Sequence, residues 1–156
     1  MIAIRKVLCP VDFSPCSDHA LEYAVEFAQA YKADLELLHV VQVTTAVDAG
    51  ADMLGPRLYD QVVMEMEKIG TARLNELVEK IRQKHAKVSQ FIVTGVAFVE
   101  IVRRAREQGV DMIVMGTHGR SGLSHAIIGS CAEKVVRKAP CPVLTVRHPE
   151  HDFVMP

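Results

Sequence analysis

Aromatic residues make up only 5% of the 156-residue chain, so its core has to be assembled from Val, Ile, Leu, Met and Ala. Neither charge sign is in excess: 18 Lys and Arg stand against 19 Asp and Glu, a formal net charge of −1. That balance removes the usual electrostatic argument for a nucleic-acid or anionic-membrane partner. No apolar run approaches the roughly 18 residues of a membrane-spanning helix. Met1 to Pro10 carries Arg5 and Lys6 inside its apolar run, and has neither the apolar stretch nor the cleavage site of a signal peptide. Cysteine is sparse. Cys9, Cys16, Cys131 and Cys141 show no CxxC spacing and no dense framework, and so read as reduced thiols. The expectation is a cytoplasmic protein without a nucleic-acid or membrane partner. What is present, 49% hydrophobic and 24% charged residues, suits one domain with a single substantial core.

The hydrophobic period switches repeatedly between strand-like and helix-like along the chain. Ile4 to Val11 is a short apolar run suited to a strand buried on both faces. Ser14 and Pro15 then mark a helix start, as N-cap and first helical residue, with Leu21, Ala24, Val25 and Ala28 on the buried face. Asp34 to Val43 reads as a second strand and Thr44 to Arg57 as a long loop. Leu58, Val62, Met66, Ile69, Leu74, Leu77 and Ile81 trace one long amphipathic helix. Val88 to Thr94 is a third strand, Val99 to Gln108 a helix, and Asp111 to Met115 a fourth strand. Residues 130 to 138 make a last helix stopped by Pro140, and Val143 to Val146 is a fifth strand. The pattern predicts a single α/β domain: a five-stranded parallel sheet with right-handed crossovers and helices on both faces. Ligands of such sheets bind beyond the carboxyl ends of the strands, where the strand order reverses.

Gly116, Gly119 and Gly122 follow the fourth strand, and Gly129 and Ser130 open the last helix. Glycines let backbone N–H groups approach a ligand, and a helix N-terminus favours an anion, so together they suit a polyphosphate. The alternative is a plain strand-to-helix connection with Ser130 as its cap. A Walker loop and a dinucleotide GxGxxG fingerprint are both missing.

Gly116, Gly119 and Gly129-Ser130 stand at the spacing Gly, two residues, Gly, nine residues, Gly-Ser. With Pro10 to Ser14, Leu38-His39-Val40, Asp111 to Gly116 and Ala139 to Leu144, they make the chain resemble the nucleotide-binding branch of the universal stress protein family. The resemblance covers nearly the whole chain, with a domain over residues 1–148 and a short tail over 149–156. It implies a three-layer, adenine nucleotide alpha hydrolase-like fold with strand order 3-2-1-4-5. Asp12 would accept from the ribose hydroxyls, Val40 would contact adenine through its backbone, and Pro10 and Val11 would line the base and sugar. Met115, Gly116 and Gly119 would bracket the ribose and α-phosphate, while Gly129, Ser130 and Cys131 would hold the outer phosphates. The implied cofactors are ATP, or AMP or ADP, with Mg2+ or Mn2+ bridging the phosphates and no metal ligand from protein side chains. The implied partner is a second copy, joined through the edge strand Val143 to Val146, beside a further protein that the sequence does not name.

Two departures from the family pattern stand out. Gly95-Val96-Ala97-Phe98 leaves the third helix without an obvious cap, with Phe98 exposed or covering a partner surface. Cys131 occupies a position more often small or β-branched, which leaves room for redox sensitivity. Among simpler readings, Asp12 makes an Asx-turn, although Ser14 already supplies the cap. His118 contacts phosphate or solvent. Cys16 and His19 share a helix face but lack a second pair at metal spacing. Arg103, Arg104 and Arg106 form a solvated face. The leading function is a nucleotide-binding regulatory or sensing module in a stress response. The alternatives are a slow ATPase or self-phosphorylating protein, with Ser130 or Ser121 as acceptor, and a nucleotide-free dimeric interaction protein. No catalytic residue is identified, and the lack of a base, Walker lysine or arginine finger argues against fast turnover.

Overall fold

The computed structural model describes residues 3–42, 56–118 and 128–147. The elements follow in the order β1 (Lys6–Pro10), α1 (Pro15–Tyr31), β2 (Asp34–Val41), α2 (Pro56–Arg82), β3 (Val88–Thr94), α3 (Ala97–Glu107), β4 (Met112–Gly116), α4 (Ser130–Lys138) and β5 (Val143–Val146). Most of the expected loop from Thr44 to Arg57, and the tail over 149–156, lie outside the described residues. All strand pairs are parallel, in the order β3-β2-β1-β4-β5. That order places β1 and β4 side by side where the chain changes direction across the sheet.

Strand alternation distributes the core between two faces. Val7, Cys9, Leu35, Leu37 and Val114 point to the face covered by α1 and α2, where they meet Ala20, Ala24, Ala28, Leu74 and Val78. Leu8, Leu38, Ile113 and Met115 point to the opposite face, where Ile101, Ala105, Ala132 and Val135 of α3 and α4 cover them. The result is a three-layer α/β domain. Small residues on α1 let that helix lie close to the sheet. Among the described residues no helix is long and apolar enough to cross a membrane.

Several local signals are realised as read. Ser14 caps α1, its Oγ accepting the Ser17 N–H, and Pro15 takes the first turn where no N–H is needed. Val96 occupies the N-cap position of α3 without a side-chain hydrogen bond, as the Gly95-Val96 sequence predicts.

Other expectations need correction. Phe98 is half-buried against the α3–α4 core, with Lys134 Nζ 4.9 Å from its ring centroid, so it is an intramolecular packing residue. The exposed apolar positions there are Val96 and Val99. Arg104 is no solvated arginine: it lies over the Phe91 ring and binds Glu36 of β2. Asp111 precedes β4 rather than opening it, and its carboxylate accepts the N–H groups of Arg5 and Lys6, tying the start of β1.

Candidate functional site

The carboxyl ends of β1 and β4 converge beside the first turn of α1. Pro10 ends β1, and the Val11 N–H continues the ladder by donating to Leu38 O at 2.8 Å. The Asp12 N–H donates to Ser17 Oγ at 3.1 Å, while Asp12 Oδ1 accepts from the N–H and the hydroxyl of Ser14, at 3.0 and 2.6 Å. The Asx-turn is thus real, but it fixes the half-buried carboxylate against the start of α1 instead of burying it.

Across the switch point, Met115 is buried and Gly116 ends β4 opposite Val146. Gly116 has no left-handed backbone here. Its value is close approach, because a Cβ would lie 2.9 Å from Cys16 Sγ and 3.0 Å from the Cys16 carbonyl. The sequence-based reason for this glycine, access to a ligand, is therefore supplemented by packing of α1 onto β4. Gly129 follows the same logic. Its N–H donates to Thr117 O at 2.7 Å, and a Cβ would lie 2.9 Å from that carbonyl. This contact docks the N-terminus of α4 onto the end of β4.

Gly129, rather than Ser130, is the N-cap of α4, and among the described residues no side chain caps that helix. Ser130 is the exposed first helical residue, and Cys131 follows, half-buried in the α3–α4 core. Burial first, and the carboxylate of Asp12 second, push the Cys131 thiol up, while Lys134 opposes them. Val40 of β2 pairs with Val93 of β3 and packs half-buried against the same apolar cluster as Cys131.

The structure therefore brings Pro10, Val11, Asp12, Val40, Met115, Gly116, Gly129, Ser130 and Cys131 to one end of the sheet. Gly119 lies outside the described residues. Cys16 and His19 do not make a metal pair: the Cys16 thiol donates to Val146 O at 3.5 Å, and His19 Nδ1 meets Glu22 Oε2 at 3.0 Å. Among the described residues no group of three His, Cys, Asp or Glu side chains could hold a metal ion. His118 Nδ1 lies 3.1 Å from Thr117 Oγ1.

Sequence reasoning gave no role to Ser17 or His39, and took in Phe13 and Thr117 only as parts of the segments that follow β1 and β4. Ser17 holds the Asp12 backbone, and Thr117 is a buried polar residue whose carbonyl seats Gly129. Their partners are remote or across a turn, and only the hydroxyl residues just after Asp12 offered a sequence signal.

The fold defines the class: a doubly wound, three-layer α/β domain with a five-stranded parallel sheet and two glycine-tight contacts at the end of β4. The Universal stress protein family profile matches residues 3–147, and the chain belongs to that family. It is 35% identical over 146 residues to the universal stress protein YxiE of Bacillus subtilis, covering 92% of this chain and 99% of that one. Among solved structures, MJ0577 of Methanocaldococcus jannaschii superposes with a TM-score of 0.74 at 29% identity, covering 94% of this chain and 97% of its own. The universal stress protein UspA from Lactobacillus plantarum gives a TM-score of 0.80 at 24% identity, over 93% and 99% of the two chains. More distant solved members include a universal stress protein in complex with cAMP, at 20% identity and TM-score 0.63, and one from Archaeoglobus fulgidus in complex with dAMP, at 21% and 0.59.

Proposed function

We propose that this chain is an adenine-nucleotide-binding universal stress protein that acts as a regulatory or sensing module in a stress response. The observation that carries the reading is that Asp12 follows β1, the neighbour of β4, while Gly129 docks the N-terminus of α4 onto the end of β4. A carboxylate suits ribose hydroxyls, which donate, and the N–H groups of a helix N-terminus suit phosphate, which accepts. Val40, Pro10 and Val11 then flank the base and sugar, Met115, Gly116 and Gly119 the ribose and α-phosphate, and Gly129, Ser130 and Cys131 the outer phosphates. The cAMP and dAMP complexes of distant members agree with an adenine nucleotide as the ligand.

Among the described residues the oxygen donors at this end of the sheet include the Asp12 carboxylate and the Thr117 and Ser130 hydroxyls, and no three His, Cys, Asp or Glu side chains group to hold an ion. A Mg2+ or Mn2+ ion would accordingly take its ligands from phosphate oxygens and water, where it would neutralise phosphate charge. The protein works as a homodimer joined through β5, an edge of the sheet. Its four free thiols, two of them buried, fit the reducing cytoplasm.

Calorimetric titration of the full chain with Mg-ATP and with AMP tests the reading. Wild type binds, Gly119→Val loses most of the affinity for ATP, and Asp12→Asn loses less because the amide keeps one acceptor. Equal affinity in wild type and in both folded variants overturns this site assignment. Absence of adenine nucleotide binding by wild type overturns the function.

A further inference from the structure

Phe13 is one of two described non-glycine residues with positive φ, at 63°. A bulky side chain pays for that conformation with strain, and a glycine would adopt it freely. Two side chains hold the ring. Its centroid lies 4.6 Å from that of the His39 imidazole, tilted by 45°, and Arg73 of α2 places its guanidinium carbon 4.1 Å away. His39 sits on β2, only 7% exposed, and its Nδ1 lies 2.8 Å from the Val11 carbonyl oxygen. A carbonyl only accepts, so Nδ1 carries the proton and donates it to Val11. On the far side, α2 approaches the imidazole through Gly70, where a Cβ would meet His39 Cδ2 at 2.9 Å and Nε2 at 3.3 Å.

Asp12 lies between the two residues that His39 engages. The carbonyl before it accepts the imidazole proton, and the ring after it stacks on the same imidazole under Arg73. Ser14 and Ser17 hold the carboxylate and the N–H. We propose that the Arg73–Phe13–His39 stack is a positioning device: it holds the left-handed turn that aims Asp12 at the ribose, and so makes α2 a determinant of sugar recognition. The three side chains act through Asp12 and do not themselves touch the nucleotide. This inference rests on the nucleotide reading above and adds residues that the glycine signature does not contain.

A core-packing role would change stability, or the binding of all nucleotides alike. A positioning role changes discrimination between sugars. The experiment measures the dissociation constants of ATP and of 2′,3′-dideoxy-ATP for wild type, Arg73→Met and Phe13→Gly, with thermal unfolding of each. Arg73 is exposed, so Met retains its apolar stem and folds. Gly at position 13 takes the positive φ without strain while deleting the stack. Wild type is expected to prefer ATP by roughly tenfold or more, the worth of a charge-assisted hydrogen bond. Both variants should lose most of that preference, with dideoxy-ATP bound about as in wild type. If either variant keeps the wild-type ratio, or weakens both nucleotides equally, the positioning role is overturned while nucleotide binding stands. If wild type binds ATP without preferring it over the dideoxy form, the ribose role of Asp12 fails, and the stack's role with it.

Discussion

Arg104 of α3 grips the carboxylate of Glu36 on β2 with both ends of its guanidinium fork, Nε to Oε1 at 2.7 Å and Nη2 to Oε2 at 2.9 Å. The side chains are only 19% and 9% exposed, and the guanidinium lies 3.8 Å above the Phe91 ring. Its bond to Glu36 raises the Arg104 pKa from an already high value, so the arginine stays charged.

The pair predicts a large asymmetry between breaking it and replacing it. Arg104→Ala leaves a buried carboxylate without its partner and is expected to cost about 3–5 kcal/mol. The double variant Glu36→Leu with Arg104→Met, which removes both charges, should recover most of that loss. Denaturant unfolding of the three proteins checks this, and an Arg104→Ala loss below about 1 kcal/mol would show that the pair is solvated after all.

Burial pushes the Cys9 thiol up to about 12, because a thiolate between the layers would be desolvated. Its contribution to stability is fully present below the unfolded thiol pKa of about 8.5, and is lost as pH rises through 12. Stability should therefore fall above pH ~9 by up to about 1.4 kcal/mol per pH unit from this group. Cys9→Val should show a shallower alkaline slope in unfolding measured from pH 8 to 11, whatever its stability at pH 7.

The Cys131 thiol is raised by burial and then by the Asp12 carboxylate. Native Cys131 should therefore alkylate more slowly at pH 8 than a free thiol. Asp12→Asn removes the negative charge, lowers the thiol pKa and should speed that labelling, read by mass spectrometry. An unchanged rate would mean that Asp12 and Cys131 do not sense each other.

β5 offers a direct test of assembly. Ile113 and Thr117 of the β4 side donate to the Pro142 and Val146 carbonyls, at 3.0 and 2.9 Å. In a parallel ladder alternate residues face one neighbour, so Leu144 joins that side and Val143 and Thr145 turn their backbone groups to the open edge. Thr145→Pro thus removes an edge donor without touching the β4 ladder. The expected result is a dimeric wild type and a folded, monomeric Thr145→Pro, read by light scattering at micromolar concentration. A wild-type mass near 17 kDa would exclude the dimer.

Much of the framework was legible because its signals are local. β3, α4 and β5 begin and end where their apolar runs, Pro140 and the Gly129-Ser130 step predict. Ser14-Pro15 caps α1 by chemistry contained within four residues. The strand order came from resemblance, and the candidate site from the rule that such sheets bind beyond their carboxyl ends together with the spacing of Gly116, Gly119 and Gly129; the described part of that site lies at one end of the sheet. What only the tertiary structure decided are the pairings between distant positions. Glu36 finds Arg104 across 68 residues, Gly116 makes room for Cys16, and Phe13 takes a left-handed turn between His39 and Arg73. No hydrophobic period encodes such partners. Periodicity specifies which face of an element is buried, whereas the identity of the atoms it meets is set when sheet and helices pack together.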